Sequence, residues 1–449
     1  MTDPVPGPAE DDEVALASVE LEDALAEGDR TLAVGTAGAA LRYPVFRRVF
    51  FGALLSNIGS WMQNVILGAY VFEKTHSSTD VGLVSLAQLG PALLLAIPGG
   101  AIADRFDRRT VLILVSIEQA IGAAAIAWIV LDPQPSIALL LGAVLFMGIG
   151  QAIYAPTFSA LVPNLVERRD LPGAISLNSV NMNLSRVIGP ALGGILFAHV
   201  AVSWVFVGNA ASYGFVIAAI WSVRLPQAHV DGPQGRWQRM VEGIRYARAD
   251  RVVGRCLTTM VLFSFFCLPV AILMPVVAQA NLGVQDRSSA YGFLYASFGA
   301  GAVAGALSIG TFLARRPLET VVRVALAGFA VALAVFGLLR APAPAFPVVF
   351  LVGYCYFAIV TSLATVLQRR LNDAVRGRVM ALWVMAFGGT VPLGALVGGW
   401  LADVVGITAV LVGGAVASAL LVFWADLVDP GEVGAVAPEV APAGSPPAG

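Results

Sequence analysis

The chain has 449 residues, 58% of them hydrophobic and only 12% charged, and its formal net charge is −2. Soluble domains carry about 25% charged residues and ~45–50% apolar ones, so the composition excludes an ordinary soluble protein and, without a basic footprint, a nucleic-acid binder. Three cysteines (Cys256, Cys267, Cys355) and three distant histidines (His76, His199, His229) give neither a disulfide framework nor a metal-ligand pattern, and no metal or cofactor is expected.

Ten acids crowd residues 1–29 of a Pro/Ala/Gly-rich start. It lacks a basic segment followed by an apolar core, so it is no signal peptide. Residues 1–41 are expected to be a disordered acidic tail, with the first span acting as its own insertion signal. Neutral runs long enough to cross a ~30 Å hydrocarbon layer then recur. Six are predicted near 49–72, 81–103, 110–131, 136–160, 176–199 and 202–223, forming a six-helix bundle over 42–224. An Arg-rich linker occupies 225–255. Six more spans follow near 256–280, 288–314, 320–340, 346–368, 379–402 and 404–425, within a second bundle over 256–428. Residues 429–449 form another expected disordered tail.

Twelve spans put both termini on one membrane side. Of the 27 Lys and Arg residues, Lys74, Arg287 and Arg340 fall on the opposite side and Arg186 lies inside a span. The remainder marks the termini and the linker as cytoplasmic by the positive-inside rule. The second, fifth, eighth and eleventh spans are rich in small residues at three- and four-residue spacing, which lets helix backbones approach closely. Four such triplets, split six and six, fit nested three-helix repeats. The GG-x-[IL]-AD echo between Gly99–Asp104 and Gly398–Asp403 supports the repeat.

The loop after the second span reads "PGGAIADRFDRRT", five charges in six residues. Its arginines pin the turn to the cytoplasmic side, but acids contribute little to orientation, so Asp104 needs another role. The eleventh span begins after Arg376-Gly377-Arg378 on the same face, and a carboxylate near a helix N-terminus is stabilised by about 0.3–1 kcal/mol.

The chain resembles the major facilitator superfamily. Gly100, Asp104, Arg105, Arg108 and Arg109 match its Gly-x-x-x-Asp-Arg-x-x-Arg-Arg signature, and "SRVIGPALGG" looks like its Gly-Pro-x-x-Gly-Gly motif at Gly189, Pro190, Gly193 and Gly194. An upstream small residue, often Gly in the family, is Ser185 here. Stretches such as "FRRVFFGALLSNIGSWMQN" and "RGRVMALWVMAFGGTVPLGALVGGWLAD" are similar to the branch of enterobactin and macrolide exporters. The resemblance implies an all-α membrane fold of two pseudo-symmetric six-helix bundles, a latch of the outward-open state at Asp104 and its Arg neighbours, and proton-coupled export from the second motif.

Two ionisable groups lie deep within spans, Glu118 and Arg186, each roughly 12–14 Å from its cytoplasmic end. Such groups normally pair or line water. Either they form a structural bridge, or Glu118 carries the coupling proton with Arg186 tuning it. Asn57, Trp61, Asn64 and Gly68 share one face of the first span, and Asn178, Asn181, Ser185 and Gly189 one face of the fifth. Interhelical hydrogen bonding would explain both sets as well as a substrate cavity would. Gln151 and Tyr154 in the fourth span, and Phe263, Phe266, Tyr354 and Tyr356 in the second half, extend the candidate cavity.

No Gly-x-x-x-x-Gly-Lys-[Ser/Thr] loop is possible around Lys74, the single lysine. Neither zinc-peptidase nor serine-elbow motifs occur, so no enzymatic activity is expected. The reading is a multi-pass transporter of the bacterial cytoplasmic (inner) membrane that exports a small amphiphilic molecule by alternating access, with proton antiport. A uniporter or importer of a small metabolite is the alternative. The expected partners are that small molecule and the lipid bilayer, with no nucleic acid, and a monomer.

Overall fold

The computed structural model describes residues 34–222, 236–285 and 287–427; the side chains of 96–101, 103–105, 236–241 and 373–374 are outside that set. Residues 1–33 of the tail expected at 1–41, and all of the tail expected at 429–449, lie outside the described residues. Residues 34–41 do not: α1 (Ala37–Arg42) is a helix whose first turn is capped by the Thr36 side chain. This corrects the disordered tail drawn to residue 41. The acid-rich composition that suggested disorder ends before the Ala-rich turn, and Ala39 and Ala40 are buried.

The long helices follow in order: α2 (Pro44–Thr75), α3 (Ser78–Arg105), α4 (Arg108–Ile129), α5 (Ile137–Leu161), α6 (Leu171–His199) and α7 (Val202–Trp221). Then come α8 (Arg236–Ala249), α9 (Arg251–Phe266), α10 (Pro269–Ile272), α11 (Met274–Ala280), α12 (Ser289–Gly310), α13 (Leu318–Leu338), α14 (Pro342–Arg370), α15 (Asp373–Val405) and α16 (Ile407–Trp424). Ser77, Asp107, Ser136, Asp250 and Asn372 cap helix starts through side-chain oxygens. Between α15 and α16 a single residue, Gly406 at φ +87, reverses the chain, a left-handed conformation that glycine adopts without steric cost.

Among the described residues, ten helices are long and apolar enough to cross a membrane. The two long helices outside that set are α2, with 32 residues, and α6, with 29. Both have the length to span; they are set apart by polar side chains, and they pack against each other. With them the described residues hold twelve membrane-length segments, counting α9–α11 as one.

That segment departs from the straight span expected at 256–280. Pro269 and Pro275 withhold backbone N–H groups and start new helical pieces, so the chain is broken twice. The linker expected at 225–255 is also not all connector: α8 covers residues 236–249, and α9 begins directly after Asp250. Counting neutral residues ends a span at its first charge, whereas Arg251 and Arg255 sit on the opening turns of a continuous helix.

The chain forms two compact units, one comprising the described residues before 234 with Val284–Gly299, the other Gln234–Gly283 and the described residues from Ala300. In the first, α2 packs on α6 and α7, α4 on α5 and α7, and α3 on α5. In the second, α13 packs on α14 and α16, and α9 on α15 and α16. Ile66, Leu112, Phe263 and Phe329 are fully buried, while Leu94, Trp128 and Phe423 are 82%, 73% and 83% exposed. Apolar side chains on the outside suit a hydrocarbon surround.

Candidate substrate pathway and ion-coupling residues

The polar face of α2 is met residue by residue. The Asn57 amide donates to Asn181 Oδ1 at 2.9 Å, and Asn181 in turn donates to the Phe50 carbonyl at 3.4 Å. Ser185 adds a 3.4 Å bond to Asn181 Oδ1. Gln88 of α3 donates to Asn64. Between these amide pairs, the Arg186 guanidinium lies 5.1 Å from the centre of the Trp61 ring. Arg186 and Trp61 are both half-buried, and a cation over an indole face is worth upward of about 0.5–1 kcal/mol, the value at an exposed site. Asn57 and Asn64 therefore bond between helices, and Trp61 and Arg186 form the cationic, aromatic centre of this seam. Asn178 is half-buried one turn away, on the same α6 face as the buried Asn181.

The glycines of the Gly-Pro-x-x-Gly-Gly motif serve two neighbours. A Cβ on Gly189 would lie 2.6 Å from Trp61 Cβ and 2.8 Å from the Ile58 carbonyl oxygen, so α6 and α2 meet backbone to backbone there. Gly193 faces Met62 and Ile66 of the same helix. Gly194 instead faces α12: its Cβ would meet Gly292 Cα at 2.3 Å. Pro190 cannot donate to the Arg186 carbonyl, and that carbonyl lies against Gly299. The loop before α12 adds an ion pair between Arg287 and Glu73 at 3.1 Å, and Tyr291 donates to the Val65 carbonyl at 3.2 Å.

Glu118 and Arg186 are not brought together. Arg186 is 15 residues into α6, about 22 Å along the axis, whereas Glu118 is 10 residues into α4, about 15 Å. Counted from its own helix start, Arg186 therefore lies about 7 Å further along than Glu118, because α6 starts at Leu171, five residues before the predicted span. Glu118 is instead held at the α4–α5 contact. Gln119 Nε2 donates to its Oε2 at 3.1 Å, Gly150 of α5 packs against the carboxyl, and Oε1 is buried without a hydrogen bond.

From Gln119 a buried network runs onward. Gln119 donates to the Met147 carbonyl at 2.6 Å and accepts from Tyr213 at 3.3 Å; Tyr213 and Ser60 lie 3.0 Å apart. Beside it Asn209 donates to Gln63 Oε1 at 2.8 Å, and Ser212 to Asn209 Oδ1 at 3.2 Å. Sequence periodicity puts Gln63, with Ser56 and Ser60, on a stripe adjacent to the Asn57–Trp61 face, but it missed Gln88, Gln119, Asn209 and Tyr213. The available signal was Asn209 and Tyr213 one turn apart on an otherwise apolar helix.

Of the charged loop, Gly100, Asp104 and Arg105 have side chains outside the described residues. Arg108 donates to the Ala160 carbonyl at 3.0 Å, and Arg109 to the Trp221 carbonyl at 2.5 Å. Two arginines thus satisfy end carbonyls of α5 and α7, where cations are favoured. Asp107 caps α4: burial pushes its carboxyl up, but hydrogen bonds from the Thr110 hydroxyl and the Thr110 and Arg109 N–H groups outweigh this and hold it below the usual range. Arg378, beside the start of α15, pairs with Glu242 of α8 at 2.7 Å.

The remaining cavity candidates divide. Gln151 is exposed, and the half-buried Tyr154 ring stacks on Phe158 at 5.5 Å. Phe263 is fully buried between Phe329 and Tyr356, with ring centres 4.9 and 6.1 Å away, so that pair builds core rather than cavity wall. Tyr354 bonds Ser308, and Phe266 is 49% exposed.

Comparisons with known proteins agree with this architecture. Residues 35–433 match the family described as Transmembrane secretion effector. The enterobactin exporter EntS of Shigella boydii serotype 18 (strain CDC 3083-94 / BS512) is 28% identical over 351 residues, covering 76% of this chain and 81% of that protein. A bacterial homolog of the human lysosomal transporter Spinster, solved inward-facing and occupied, superposes with TM-score 0.68 at 16% identity, over 86% of this chain and 96% of that one. A mutant of the nucleoside transporter NupG gives 0.67 at 14% identity, over 86% and 100%. The chain therefore belongs to the transmembrane secretion effector family of the major facilitator superfamily: it is a multi-pass secondary transporter and not an enzyme.

Proposed function

We propose that the protein exports a small amphiphilic molecule from the bacterial cytoplasm by alternating access, in exchange for protons, with both termini cytoplasmic. The observation that carries the reading is Arg186 over Trp61 midway along α6. A membrane protein keeps a cation at such depth for a functional task by default, and an indole face beside a guanidinium suits a ligand with both apolar and polar parts. The similarity to an enterobactin exporter supports the outward direction. Glu118 is the proton-carrying group of this proposal. Its carboxyl is the acid deepest within the described helices of the first unit, and Oε1 is left open to a proton.

Accumulation of candidate amphiphiles in cells with and without the protein, repeated with a protonophore, tests this. Lower accumulation that depends on the protein and disappears with the proton gradient is the expected result. Exclusion that survives the protonophore would refute antiport, and equal accumulation across a panel of drugs, siderophores and metabolites would refute export.

A further inference from the structure

Where α16 ends, one carboxylate faces three arginines. Asp426 lies 3.1 Å from Arg251, 2.9 Å from Arg255 and 3.0 Å from Arg323. Arg251 and Arg255 are one turn apart on α9, and Arg323 belongs to the second turn of α13. All lie in the second compact unit. Elsewhere in this unit Arg370 pairs with Asp250 and Arg378 with Glu242. Among the described residues three cations here share one anion, an excess of two positive charges.

Helix capping explains part of the cluster. Arg255 donates to the Asp426 carbonyl at 2.6 Å and Arg323 to the Ala425 carbonyl at 3.2 Å, satisfying orphan acceptors beyond α16. Among the described residues Arg251 makes no such bond; its contact there is with the Asp426 carboxylate. It is half exposed, and Arg323 is 40% exposed. The guanidinium of Arg255 lies 5.8 Å from the Trp424 ring, and Trp424 and Phe423 are themselves exposed. The excess charge therefore sits beside outward-facing aromatics, where a bilayer passes from hydrocarbon to headgroup.

We propose that Arg251, Arg255 and Arg323 form a binding site for the phosphate of an anionic phospholipid. Guanidinium forks match phosphate oxygens in pairs, and basic pockets between transmembrane helices take such headgroups. Phe423 and Trp424 lie against the acyl chains, which distinguishes a lipid from free phosphate. With the termini inside, the site faces the inner leaflet, whose anionic lipids supply the ligand. Asp426 competes with that phosphate: with all three guanidiniums around it, first the hydrogen bond from Arg255 and then the neighbouring charges, its carboxyl is held below the usual range, so it remains an anion at neutral pH.

Native mass spectrometry of the full-length protein in detergent, titrated with phosphatidylglycerol, phosphatidylcholine or inorganic phosphate, tests the site. The wild type is expected to retain phosphatidylglycerol selectively. Arg251→Gln/Arg323→Gln, which leaves the Arg255 cap in place, is expected to weaken that retention about 30-fold, from roughly one surface lysine- or arginine-equivalent per residue. Asp426→Asn, which removes the competing anion, is expected to strengthen it. Arg47→Gln/Arg48→Gln removes the same charge from two exposed positions elsewhere and should leave it unchanged. Equal retention of both lipids, full retention by the Arg251/Arg323 variant, an equal loss in the Arg47/Arg48 variant, or displacement of the lipid by millimolar phosphate would each overturn the proposal.

Discussion

Substituting Gly194 tests whether the Gly-Pro-x-x-Gly-Gly motif works through backbone contact. A Cβ there would lie 2.3 Å from Gly292 Cα and 2.6 Å from Gly292 N, against 3.4–4 Å for ordinary contact. The obstacle is backbone on both sides, so no side chain can swing away; α6 and the first turns of α12 must part by about 1 Å. Overpacking of this kind costs about 1–3 kcal/mol, a factor of about 5 to 150 in any state that requires the contact. Gly194→Ala is therefore expected to lower the unfolding temperature in detergent by several degrees and to reduce transport.

The neighbouring positions supply the controls. Gly193→Ala meets Met62 Cγ at 3.0 Å, a flexible side chain that can yield, and is expected to be milder. Gly208→Ala meets nothing within 4 Å and is expected to be neutral. Gly292→Ala strains the same seam from the other side, so the double variant should cost less than the two single ones together. If Gly194→Ala unfolds and transports like Gly208→Ala, the crossing carries neither stability nor function and the reasoning is wrong.

Other substitutions probe separate parts. Glu118→Gln should keep the fold yet abolish the protonophore-sensitive part of efflux; unchanged proton-driven efflux would remove Glu118 from the coupling. Arg186→Lys keeps the charge but loses the guanidinium held over Trp61, so transport should fall while membrane levels hold; wild-type transport would assign the pair to packing. Asp104→Asn should reduce transport at normal expression, and unchanged transport would undermine a latch at that carboxylate. At the start of α6, Asp170 accepts the Gly35 N–H at 2.9 Å and the Tyr43 hydroxyl at 2.8 Å, and these bonds, led by Gly35, hold its carboxyl below the usual range. Its contribution is thus fully present above about pH 4, the unfolded-state value, and is lost as pH falls through the lower native value. Hydrogen exchange over residues 35–43 should speed up in that acid range and, at neutral pH, in Asp170→Ala, where about 1.5–3 kcal/mol per charged hydrogen bond is at stake; equal protection would refute the clamp.

The all-helical membrane fold was legible because length and charge patterning respond directly to the bilayer. Periodicity also placed Asn57, Trp61 and Asn64 on one face of α2. Their partners were not legible, since a hydrogen bond such as that between Asn57 and Asn181 depends on which helices become neighbours, 124 residues apart. The same limit separates Glu118 from Arg186: nominal depth along two spans says nothing about azimuth, and α4 turns its carboxyl toward Gly150 of α5. Charge counting likewise hid the start of α9, because Arg251 and Arg255 read as linker although the helix already contains them. Asp426 gave no signal at all; its meaning comes from three arginines contributed by two distant helices.

The polarity shared by α2 and α6 also bears on how the chain is made. At a synthesis rate of about 5–20 residues per second, the 124 residues separating Asn57 from Asn181 take roughly 6–25 s to emerge. Throughout that interval the first span occupies the membrane with its seam amides facing lipid, water or the insertion machinery. It must hold its place through its apolar positions and the charges of Arg47 and Arg48 at its entry. Biogenesis therefore passes through a stage at which the earliest helix is the least finished, and its completion waits for the fifth.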